Sequence, residues 1–154
     1  MNQTHQHRRI GITLIETIMV IALLAAAAVA STVLINGGWA ARRNVATTTD
    51  DVANALITAR NTAITNQATV RVRRLRSGGV EQLVISENAG PYRSDKNWVI
   101  ELGSDIRLRG TPRELEFMPV GTANRNLAWT VTQADSKGQV TVEPASGQVI
   151  RTLP

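Results

Sequence analysis

"GITLIETIMVIALL", Gly11 to Leu24, decides the reading of this chain, because it opens an apolar run and places a carboxylate, Glu16, inside it. The run is unbroken from Ile18 to Ala30 and continues past Ser31 and Thr32 to Ile35. As a helix from Ile12 to Ile35 it measures roughly 36 Å, enough for a bilayer core of ~30 Å. Residues 1–11 are polar and end in Arg8 and Arg9 beside the run, which favours a cytoplasmic N-terminus and export of everything after it. Arg42 and Arg43 on the far side weaken that asymmetry without abolishing it. An ordinary secretory signal is the competing reading, since "AAAAVAS" (Ala25–Ser31) offers small residues to a signal peptidase. Against it stand the length of the run and Glu16. A carboxylate in hydrocarbon costs about 2.5–3.5 kcal/mol on insertion scales, so it needs a partner or a function.

The remainder of the 154 residues has room for one modest domain, and 43% hydrophobic residues suffice for its core. With aromatics at 3%, that core must rest on Val, Ile, Leu and Ala, with Trp39, Trp98, Trp129, Tyr92 and Phe117 as its large pieces. Beyond Ile35 there are 15 basic and 11 acidic residues, a mild positive bias that a solvated surface accommodates. The absence of cysteine excludes disulfides, thiolate zinc sites and cysteine nucleophiles.

Asn36, Gly37 and Gly38 mark a kink or membrane exit, because adjacent glycines weaken a helix. Helical spacing resumes from Trp39 to Asn66, where Val45, Val52, Leu56, Ala59, Ala63 and Ile64 form one face able to lie on a sheet. Asp50 and Asp51 are read as a restart of that helix and Asn66 as its stop. The period then changes to two. "TVRVRRL" (Thr69–Leu75), the turn Ser77–Gly79 and "VEQLVIS" (Val80–Ser86) predict a hairpin. Further strands are predicted at 98–102, 106–109, 114–118, 127–133, 139–143 and 148–152. The expected fold is α+β, with the long N-terminal helix packed on an antiparallel β-sandwich.

The N-terminus resembles the class III signal of type IV pilins and type II secretion pseudopilins: Gly11, then Ile12, three further apolar-run residues and Glu16. The resemblance implies that a prepilin peptidase, a partner in processing, cuts after Gly11 and methylates the new amino terminus of Ile12. Residues 1–11 are then a cytoplasmic leader, 12–35 the transmembrane and assembly helix, and 36–154 a periplasmic domain whose helix continues to about 66. Glu16 would meet the N-terminal amine of a neighbouring subunit, so that burial of an unpaired charge penalises wrong register. Ile12 stands where that family usually carries phenylalanine, and the helix lacks the bending proline of major pilins, which leans toward a pseudopilin or minor subunit.

Three internal patches resemble the GspH/FimT minor pseudopilins: "LITARNTAITNQATVRV" (Leu56–Val72), "LEFMPVGTA" (Leu115–Ala123) and "VTVEPASGQVIR" (Val140–Arg151). The function implied is a structural subunit of a type II secretion pseudopilus, anchored in the inner membrane, whose partners are other pseudopilins near the tip of a short filament. A second reading is a FimT-like minor pilin that binds DNA for uptake; its glycine-arginine-x-arginine motif is not matched, since Gly147 is followed by Gln148, Val149 and Ile150 before Arg151. Arg71, Arg73, Arg74, Arg76 and Arg151 are nonetheless the candidate contacts, for a partner subunit first and for DNA second. A third reading is a β-domain freed by ordinary signal cleavage.

No catalytic site is expected. His5 and His7 both lie in the leader, and no nucleophile elbow, phosphate loop or metal-ligand spacing occurs, so neither cofactor nor metal is expected. Asp50 with Asp51, and Glu114 with Glu116, are read as solvated pairs, and Ser86–Asn97 as an ordinary loop rather than a calcium site.

Overall fold

The computed structural model of the protein describes residues 14–36, 38–88 and 96–153. Gly11, Ile12, Tyr92 and most of the Ser86–Asn97 segment lie outside the described residues. The chain divides into two units at Gly37/Gly38. The first contains α1, Leu14–Asn36, which is apolar on all sides apart from Glu16 in its first turn. Leu14–Ser31 is long and apolar enough to cross a membrane by length and composition, a test that a signal sequence also passes, and none of it is buried.

The second unit opens with α2, Trp39–Asn66. Its buried stripe is Val45, Thr49, Val52, Ala53, Ala55, Leu56, Ala59 and Ala63, the 3.6-residue period seen in the sequence. Four of these are alanines, which lets the helix axis approach the strands closely. The helix passes through Asp50 and Asp51 without interruption, so the expected restart is corrected: Asp50 serves tertiary structure rather than a new first turn. It ends where expected. Gln67 adopts the left-handed conformation (φ 51°), and Ala68 N–H donates to Ala63 O at 3.1 Å, closing the last turn.

Two antiparallel four-stranded sheets follow, in the orders β3-β2-β1-β5 and β4-β6-β7-β8. Their strands are β1 Thr69–Ser77, β2 Val80–Asn88, β3 Lys96–Glu101, β4 Arg107–Thr111, β5 Glu114–Phe117, β6 Leu127–Gln133, β7 Ser136–Val142 and β8 Val149–Thr152. The first hairpin has Ser77 opposite Val80 across Gly78 and Gly79, both at positive φ (58° and 86°), the two-residue loop whose twist matches paired strands. Inward side chains of both sheets join the buried face of α2 in one cluster, with Trp129, Phe117, Leu56, Leu83 and Ile85 fully enclosed. Trp129 Nε1–H donates to Pro112 O at 2.6 Å, which satisfies the buried indole.

Two further expectations change. Trp39, read as a core piece, is 62% exposed on the first turn of α2, six residues before the buried stripe begins, and Arg43 lies over its ring at 5.5 Å. The strand predicted at 139–143 begins at Ser136, because the β6–β7 hairpin turns on Ala134 and Asp135, with Ala134 at φ 49°. Gly138, left outside the predicted strand, lies within β7. A Cβ there would sit 2.2 Å from Thr49 Oγ1, so its missing side chain is the space in which α2 crosses the sheet.

Candidate functional site

The predicted site residues fall in separate settings. Gly11 and Ile12 lie outside the described residues, while Glu16 occupies the first turn of α1. The side chains around it are strongly exposed, with Leu14 at 81% and Ile15 at 76%. In a soluble domain such a surface is a liability; lateral packing in a membrane or helix bundle removes it from water.

The basic strand β1 does not present its arginines as a unit. Arg71 and Arg73 share the outward face, as alternation predicts, and stand opposite Glu116 and Glu114 of β5. Arg71 Nη2 lies 2.7 Å from Glu116 Oε1 and its Nε 3.1 Å from Glu114 Oε1; Arg73 Nε donates to Glu114 Oε2 at 2.7 Å. Asn124 Nδ2–H donates to the other Glu116 oxygen at 3.3 Å and orients it. The hydrogen bond to Glu116, then the charges of Glu114 and Glu116, raise the Arg71 pKa. A phosphate backbone approaching this face would meet two carboxylates as well as two guanidiniums, and no aromatic interleaves them.

Arg74 and Arg76 occupy the inward alternation of β1, beyond Val70 and Val72, where the core ends. Arg74 Nη1–H donates to Leu108 O and Nη2–H reaches Gly110 O at 3.4 Å, so the guanidinium ties β1 to β4. Burial lowers its pKa; Glu81 opposes that shift and Arg113 adds to it. Among the described residues Arg76 reaches Gly79 O, at 3.4 Å, and Arg113 completes the group around a cleft also lined by Leu75, Glu81 and Leu108. Arg113 escaped the sequence reading because it belongs to the turn before β5 rather than to the basic strand.

Arg151 pairs with Asp50, fastening β8 to the middle of α2. Arg60 is the larger omission. Its Nε donates to Gly121 O at 2.9 Å and its Nη2 to Ser146 O at 3.0 Å. The three internal patches of the sequence therefore meet at one side chain, with Gly147 (φ 62°) close enough that a Cβ would lie 1.9 Å from Gly121 O. The signal was present in the alanine-arginine pair Ala59-Arg60, but spacing alone gave that arginine no partner.

Among the described residues no group of three or more His, Cys, Asp or Glu is arranged to hold a metal. No family model and no curated protein matches the sequence. Solved structures do match the fold. The minor pseudopilin EpsH of the Vibrio cholerae type 2 secretion system aligns at TM-score 0.59 and 13% identity, over 72% of this chain and 98% of that one. The type IV minor pilin FimU of Pseudomonas aeruginosa aligns at TM-score 0.56 and 15% identity, over 73% and 90%. The second helix and the paired antiparallel sheets, preceded by an apolar helix, thus have the pilin-like α+β fold of these two structures.

Proposed function

We propose that the protein is a minor pseudopilin, a non-enzymatic structural subunit of a type II secretion pseudopilus. One observation carries the reading: a membrane-length helix, exposed on every side and bearing Glu16 in its first turn, precedes a domain of minor-pseudopilin fold. Such a helix is stable only when lipid or other helices cover it. In this reading residues 1–11 are the cytoplasmic leader, a prepilin peptidase cuts after Gly11, and Ile12 to Ile35 anchors the subunit in the inner membrane before bundling it in the filament. Glu16 then meets a neighbour's amino terminus and fixes register, because a subunit at the wrong height buries a charge without its cation. The domain lies in the periplasm and selects neighbours near the filament tip. The lack of proline in α1 supports a pseudopilin or minor subunit over a major pilin. The paired acids on Arg71 and Arg73 count against the DNA-uptake reading.

The test is the N-terminal sequence and mass of the membrane-bound protein from cells with and without prepilin peptidase. The expected mature chain begins at Ile12, and only when the peptidase is present. A start near Ser31, or an intact leader indifferent to the peptidase, makes the run an ordinary export signal or anchor and removes the assignment.

A further inference from the structure

The cleft at the end of β1 has a composition that the paired face lacks. Arg74, Arg76 and Arg113 converge on about 390 Å³ of space whose other lining residues are Leu75, Leu108 and a single acid, Glu81. The ion pairs among the described residues engage Arg71, Arg73 and Arg151 and none of these three. Arg74 is held in place by two backbone carbonyls of β4, so it contributes a fixed positive charge that is partly withdrawn from water. Arg76 and Arg113 are exposed at the rim. Glu81 is 6% exposed and stands opposite Arg76 in the β1–β2 register, so the cleft retains excess positive charge with one internal carboxylate.

We propose that this cleft binds carboxylate side chains of an acidic segment on a neighbouring filament subunit. The partner's being a filament subunit rests on the pseudopilin reading above. Guanidiniums fork onto carboxylates through paired N–H donors, and such bonds are stronger where one partner is shielded from solvent, as Arg74 is. The leucines support a protein ligand: Leu75 is 43% exposed at the lip and Leu108 is buried beneath, giving the aliphatic stem of a Glu or Asp a surface to lie on. Nucleic acid fits less well. It calls for cations along an open track, with aromatic platforms where strands are single, whereas this cleft is compact, lacks an aromatic and contains an acid facing the incoming charge.

The test places p-benzoylphenylalanine at Leu75 of the full-length protein in its native host. After illumination the adduct is identified by mass spectrometry, and the N-terminus of the same preparation is sequenced. The expected adduct is a peptide of another filament subunit with Asp or Glu flanking the cross-link. It falls about tenfold with Arg76→Glu plus Arg113→Glu and persists with Arg76→Lys plus Arg113→Lys, which keeps charge and fold. A nucleic-acid adduct, a peptide without flanking carboxylates, or an adduct indifferent to charge reversal overturns the proposal. So does absence of an adduct when the chain begins at Ile12, in which case the filament reading stands and the cleft assignment falls. An N-terminus elsewhere removes the filament reading and this proposal with it.

Discussion

The two helices of this protein differ less in length than in the medium each is written for. α1 spends its apolar residues on every side, so no rotation of it can face a core while leaving a polar face to water. α2 gathers its buried residues into one stripe of alanine and valine with one leucine and Thr49, which two sheets then enclose. A periodic sequence specifies its partner within the chain; an aperiodic apolar one specifies a partner outside it.

The sharpest test of that contrast is a matched pair of truncations. Leu56→Ala on α2 should cost about 2–5 kcal/mol of unfolding free energy by thermal or denaturant melting, since it opens a cavity in the shared core. Leu23→Ala on α1, where the side chain is 64% exposed, should leave the domain's melt within about 0.5 kcal/mol. Equal losses would break the distinction. A second test acts on the other helix: Leu23→Arg should cost about 2.5–3.5 kcal/mol of membrane insertion, read as release on alkaline extraction, with the melt of the domain unchanged.

The closeness of α2 to the strands can be tested at its tightest point. Gly138→Ala should lose about 1–3 kcal/mol, because the new methyl collides with Thr49, and Thr49→Ala in the same chain should recover part of it. A loss that Thr49→Ala does not soften would locate the strain elsewhere. The smallest effect concerns the paired face of β1. Glu114→Gln with Glu116→Gln should leave the melt nearly unchanged while increasing retention on duplex DNA at low salt, an increase abolished by Arg71→Gln with Arg73→Gln. No increase would show that this face lacks affinity for phosphate even when its acids are removed.

How far these features were legible depends on whether their cause is local. The stripe of α2, its stop at Asn66 and the Gly78-Gly79 hairpin follow from nearest-neighbour chemistry, and the sequence predicted each within a residue or two. Strand ends fared worse where the deciding contact is distant. Gly138 fell outside the predicted strand because its reason for being glycine is Thr49, far back in the chain. Alternation correctly put Arg71 and Arg73 on one face, yet their acids arrive from β5, and the separation of Arg74 and Arg76 into a cleft required knowing where the core ends. The roles of Arg60 and Arg113 were hidden for the same reason: each acts on backbone or space supplied by a remote segment.

Thr49 against Gly138 and Asp50 with Arg151 attach the middle of α2 to the second sheet, and the Arg60 bonds attach the helix again about three turns further on. A pull on Gly38 along the axis of α2 would load both attachment points together, in shear, instead of peeling the helix from one end.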